Sequence, residues 1–203
     1  MTATTNSDPL AAETFAERRR LAGLLAGLTP AQWAHPSLCS GWRVREVVAH
    51  ITLPYRHSGP RVIGGIIAAR GRFNVFADRI ARRDTARCSD ADLLASLEQN
   101  AQHPWKPPGG GQLGALSHDV IHGLDITEPL GLPRPPTARV QTVLAGSTKR
   151  QLAYFGVDLS GTRLVADDCD VSIGPADAAA TLRMPAADML LVVTGRRVLP
   201  ASP

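Results

Sequence analysis

A chain of 203 residues with 44% apolar content is long enough for one ordinary domain, or one with a small appendage, around a real hydrophobic core. Its net charge of +4 comes almost wholly from arginine scattered along the sequence, and only 4% of residues are aromatic; that pattern excludes the one-faced basic surface, interleaved with aromatics, of a nucleic-acid binder. No apolar run approaches the ~18 residues that cross a bilayer, which excludes a membrane span.

In chain order, MTATTNSDPL has neither the charged region nor the apolar region of a signal peptide, so a cytoplasmic protein is expected. Cys39, Cys88 and Cys169 are odd in number and far apart, which fits a reducing compartment. DPLAAETFAERRRLAGLLAGLTP predicts the first helix, capped by Asp8, with Pro9 in its first turn and an apolar stripe through Leu21 and Leu25. The Arg18-Arg19-Arg20 run within it, like Arg82-Arg83 later, reads as a solvated helix face. A short turn from Pro30 and the loop PSLCSG follow. WRVREVVAHITLPYRHS predicts one helix, with Ser40 as a candidate cap, and GPRVIGGIIAARGRFNVFADRIARR another, loosened by its glycines. Ser89 caps the helix of SDADLLASLEQNAQ, whose first turn is acidic as the helix dipole prefers.

HPWKPPGGGQ predicts a loop, GQLGALSHDVIHGLDITEPLG a helix closed by Pro129 and Gly131, LPRPP a rigid connector, and TARVQTVLAGSTKRQLAYFG a further helix ending at Gly156. The texture then changes. TRLVADD, DVSIG and AATLRMP read as short strands, and PAADMLLVVTGRR as a last helix with Gly195 at its end. The expected organisation is mainly α: a helical bundle over residues 1–156, then a small α/β unit over 157–203.

His118 and His122 stand four apart on the helix of GQLGALSHDVIHGLDITEPLG, with Asp125 three further on. A helix turns 100° per residue, so the three share one side. The pair alone suits either a hydrogen-bonded core or two-thirds of a metal site. His50, in VVAHI, sits among residues that should face the core, where an imidazole is costly without a partner. Helix bundles build metal sites from side chains on facing helices, and three imidazoles leave a fourth position open, as in catalytic zinc. His57, seven residues on, is a further candidate for the same face; His35 and His103 read as solvated loop residues. Cys39 reads as a buried thiol near the start of the His50 helix.

LCSGWRVREVVAHI resembles the C-x-G-W-x-V-R-x-x-x-x-H segment of the mycothiol-dependent maleylpyruvate isomerase family, in the wider DinB-like superfamily. SHDVIHGLDITEPLG resembles that family's second metal segment, and GTRLVADDCDVSIG with PAADMLLVVTGRR its C-terminal unit, so the likeness runs from about residue 15 to 197. The resemblance implies a DinB-like antiparallel four-helix bundle followed by a small α/β unit. It also implies a divalent metal, typically zinc, held by three side chains. Residue by residue, His50 matches the first ligand and His122 the last, while His118 falls where the isomerases proper carry glutamate. An all-histidine set leaves the metal more positive, which favours an ionised thiol.

Asp125 would then hold a ligand histidine through its ring N–H. Arg45 and Arg196, with Arg79 and Arg197 behind them, are candidates for binding the substrate or the thiol. The implied activity is attack by a low-molecular-weight thiol such as mycothiol on a small electrophile, in isomerisation or transfer, by a monomer or homodimer with no nucleic-acid or membrane partner. Two other readings stand beside it: a non-catalytic metal-binding bundle acting as sensor or interaction protein, and a metal-dependent hydrolase.

Overall fold

The computed structural model describes residues 8–199, so the reading of the first seven residues lies outside it. It is 57% helix with one small three-stranded sheet, a mainly α protein. Among the described residues no helix is long and apolar enough to cross a membrane.

Two compact units meet at Leu132/Pro133. The first holds α1 (Pro9–Leu25), α2 (Pro30–Trp33), α3 (Val44–Ile51), α4 (Leu53–Arg56), α5 (Gly59–Ala68), α6 (Phe73–Thr85), α7 (Asp90–Gln99) and α8 (Gly111–Leu130). α1 and α3 each pack against both α7 and α8, so these four helices close a ring, and α6 lies against α3. Inside the ring Leu21, Leu25, Val44, Val47, Val48, Ile51, Leu93, Leu97 and Ile126 are buried together, each such side chain contributing about 1.5–3 kcal/mol of burial.

The caps follow the sequence. Asp8 accepts from the Leu10 N–H, and Ser89 and Asp92 form a reciprocal capping box on α7. The helix that carries His50 departs from expectation. Its cap is not Ser40: Glu46 reaches back to accept from the Arg43 N–H at 2.9 Å and from the Arg43 guanidinium, so the helix starts at Val44. It also stops at Ile51, because Pro54 has no N–H for the turn that would continue it and α4 starts afresh. A second expected helix breaks into α5 and α6 at Arg70 and Gly71, which both take positive φ (55° and 73°).

The second unit holds α9 (Thr137–Ala145), α10 (Lys149–Tyr154), β1 (Thr162–Ala166), β2 (Ser172–Ile173), β3 (Ala180–Met184) and α11 (Ala186–Val193). The strands lie in the order β2-β1-β3, with β1 antiparallel to β2 and parallel to β3. α11 packs on β1 and on α9. The boundary expected between 156 and 157 therefore moves to the LPRPP connector. Periodicity reveals that α9 is a helix but not which neighbour covers Val140, Val143 and Leu144, and the neighbour is α11. The single helix expected over 137–156 is interrupted at Gly146–Thr148, where Thr148 caps α10.

Candidate metal centre

α3 and α8 lie side by side, and each places imidazole on the shared face. His118 and His122 project together from α8, their ring centroids 4.8 Å apart. The His50 ring stands 5.2 Å from His118 and 4.8 Å from His122. One ring nitrogen from each of the three lies within 4.8 Å of the other two. Between His50 Nε2 and His118 Nε2 the separation is 3.4 Å; two nitrogens bound at 2.0–2.1 Å to one tetrahedral zinc stand about 3.4 Å apart.

The groups behind the rings decide which nitrogen faces inward. His118 Nδ1 lies 2.8 Å from Asp119 Oδ1, and His122 Nδ1 lies 2.8 Å from Asp125 Oδ2. A carboxylate only accepts, so each imidazole donates from Nδ1 and turns its Nε2 away from the carboxylate, toward the other rings. His50 has no such support: its Nδ1 is buried and without a hydrogen-bond partner. Burial, with His122 and His118 close by, holds His50 well below the ordinary imidazole range, so it is neutral. A buried ring nitrogen without a partner costs about 1–3 kcal/mol.

Neither carboxylate is at the surface. Asp119 Oδ2 accepts from Arg18 Nε at 2.7 Å, and both side chains are at most 2% exposed. The Arg18 Nη1 donates to the His103 carbonyl at 2.7 Å. Arg18 therefore corrects the sequence reading of its run: only Arg19 is in water, while Arg20 pairs with buried Glu17. His103, expected in solvent, is half-buried, with its ring 5.0 Å from Tyr55.

Asp125 is fully buried. Besides His122 it accepts from the Cys39 thiol, Sγ to Oδ2 3.0 Å. The backbone explains how Cys39 gets there. Pro129 lacks the N–H that the Asp125 carbonyl would receive one turn on, and that carbonyl instead accepts from the Leu38 N–H at 3.0 Å. The proline read as a helix stop thus docks the 36–43 loop onto α8.

Other expected site residues lie elsewhere. His57 Nε2 is 2.7 Å from Asp84 Oδ2, a carboxylate that Arg56 also reaches, so the break after α3 has turned it away from His50. Arg45, five residues before His50 and so about 140° round the helix, pairs with Asp90 at 3.1 Å and donates to the Cys88 carbonyl. Arg196 belongs to the second unit, where its guanidinium lies over the Phe155 ring at 5.4 Å. The sequence does not mark Asp119, Arg18 and Cys39 for these contacts. An aspartate directly after a helical histidine was the available signal for the first; partners far away in sequence offered none for the other two.

Among known proteins, residues 14–103 match the mycothiol maleylpyruvate isomerase N-terminal domain. Two uncharacterized proteins from two strains of Mycobacterium tuberculosis are each 27% identical over 223 aligned positions, which span 94% of this chain and 86% of theirs. A crystal structure of a histidine-to-alanine mutant of the mycothiol-dependent maleylpyruvate isomerase shares the fold across 100% of this chain and 99% of its own, with TM-score 0.61 and 14% identity. A second crystal structure of that isomerase gives TM-score 0.54 at 15% identity over the same spans. Residues 14–103, from within α1 to just past α7, thus resemble the N-terminal domain of the mycothiol-dependent maleylpyruvate isomerases, and the chain shares the fold of that isomerase.

Proposed function

We propose that the protein is a metal-dependent enzyme that directs a low-molecular-weight thiol of the mycothiol kind at a small electrophilic substrate, by isomerisation or transfer. The observation that carries this reading is the convergence of His50, His118 and His122, two of them backed by carboxylates on the far nitrogen. Three ring nitrogens with one 3.4 Å spacing fit a divalent cation such as zinc and leave a position for a ligand. Bound there, the cation would supply the positive charge that lets a thiol lose its proton near neutral pH.

The chain's own residues do the rest. Asp119 and Asp125 fix the tautomers of His118 and His122 and orient their rings. Arg18 offsets the charge of Asp119, so one net carboxylate remains behind the triad. The side chains of His118 and His122 are 16% and 15% exposed, enough for a small molecule to reach them. The match of residues 14–103 to the N-terminal domain of mycothiol-dependent isomerases favours a thiol over water as the nucleophile. The three free cysteines suit the cytoplasm.

The test is thiol consumption with a panel of electrophiles, using zinc-loaded protein with and without chelator. Consumption that needs both zinc and thiol supports the reading. Zinc-dependent turnover without thiol would identify a hydrolase instead, and bound zinc with no thiol binding or turnover a non-catalytic bundle.

A further inference from the structure

The geometry points to an electrophile that carries an aromatic or similarly flat apolar group, bound against Phe73 and Trp105 at the edge of the histidine triad. This rests on the thiol-enzyme reading and names the substrate class of the same site. The chain has only three tryptophans, two tyrosines and four phenylalanines. Three of those rings, from three distant stretches, stand against the triad: Trp42 at 5.3 Å from the His50 ring, Phe73 at 6.5 Å from His50, and Trp105 at 5.1 Å from His118.

Trp42 has a structural reason to be there. Its Nε1 donates to Asp78 at 2.8 Å, and its ring packs on the core. Phe73 has no comparable reason. It opens α6 directly after the left-handed turn at Arg70–Gly71, and it remains 48% exposed while touching His50 and Phe76. Trp105 lies in the loop before α8, half-buried, its ring edge-on to His118. Aromatic rings gain most from burial, yet in a chain so poor in them two are left partly in water beside the triad. A planar substrate group stacked or set edge-on to them, at the 4.5–7 Å usual for aromatic pairs, completes that burial.

Charge argues the same way within the first unit. Arg18, Arg45, Arg56 and Arg82 are each paired with an aspartate: Asp119, Asp90, Asp84 and Asp78. Arg72 and Lys106 adjoin the two rings in sequence and are exposed, so recognition of a dicarboxylate is the outcome to set against the aromatic one.

For an α,β-unsaturated ketone the step is addition. The thiolate sulfur bonds to the β-carbon, and the alkene electron pair shifts to the α-carbon. The α-carbon takes up one proton, equal to the one the thiol gave up, so no oxidant or reductant enters. Benzylideneacetone and pent-3-en-2-one differ only in a phenyl for a methyl group, and maleate serves as the dicarboxylate. With zinc-loaded full-length protein and mycothiol, kcat/KM corrected for the uncatalysed rate should favour benzylideneacetone over pent-3-en-2-one by about ten-fold, the gain from burying one phenyl ring. Phe73→Ala and Trp105→Ala should lower that ratio at unchanged zinc content, and Phe73→Leu should retain part of it.

A binding measurement separates this inference from the enzyme reading. The saturated ketone 4-phenylbutan-2-one cannot react, and calorimetry against pentan-2-one should show the same preference of about ten-fold. Such binding without thiol consumption would sink the enzyme reading and leave the aromatic site standing. Thiol consumption with equal rates on the two enones, a preference for maleate, or a ratio unmoved in both alanine variants would overturn the aromatic site.

Discussion

At the scale of single residues, the centre is a set of paired obligations. His50, His118 and His122 are each expected to be needed for metal: substitution of any one by alanine should reduce bound zinc from about one per chain to near none by elemental analysis, with helical circular dichroism retained. Asp125→Asn keeps the shape and removes the charge behind His122, so zinc affinity should fall about 10–100-fold in competition with a chromophoric chelator, while stoichiometry at saturating zinc stays the same. Arg18 is a different case. It is buried against Asp119, and Arg18→Met would leave that carboxylate buried and alone. A loss of about 3–5 kcal/mol in urea unfolding is expected. A loss below ~1 kcal/mol would mean that solvent reaches the pair.

At the scale of elements, two local devices aim the helices. α3 begins where Glu46 caps it. Burial pushes the Glu46 carboxyl up, but hydrogen bonds from Arg43 and Thr85 outweigh it, so its pKa lies below the ordinary carboxylate value of 4.5. A depressed acid contributes stability that is present above its unfolded value and is lost as pH falls through its folded one. Stability should therefore decline on acidification below about 4.5, and Glu46→Gln should flatten that part of the profile. The same substitution should cost about 1.5–3 kcal/mol at neutral pH, the worth of hydrogen bonds to a charged group. α8 approaches α1 at Gly123, where an added Cβ would lie 3.2 Å from Glu17 Oε1. Gly123→Val should destabilise by about 1–3 kcal/mol through overpacking.

At the scale of the whole molecule, the triad joins α3 and α8, which four other helices separate in sequence, so a metal held there would be linked to the fold. Zinc that binds only the folded state should raise the unfolding midpoint of the first unit as its concentration rises, adding about 4 kcal/mol of stability at a thousand-fold excess over Kd. Scanning calorimetry checks this: EDTA should reverse the shift, and the His122→Ala protein should not respond.

Much of this was legible from residue order alone. The caps at Asp8 and Ser89, the strand-rich C-terminal stretch and the shared face of His118 and His122 are local facts, set by dihedral preference and helical period over a few residues. Asp125 three residues after His122 belongs with them. The breaks that split three expected helices at Pro54, at Arg70–Gly71 and at Gly146–Thr148 are not legible in that way. The tertiary structure decided what depends on contacts between distant segments: that Arg18 lies inside against Asp119, that the Pro129-freed carbonyl draws Cys39 to Asp125, that α9 covers α11, and that three aromatic rings gather at His50 and His118. The physical reason is burial. A side chain's type and period say which face of its helix it takes, but whether that face meets water, a carboxylate or an imidazole is fixed only when the helices pack.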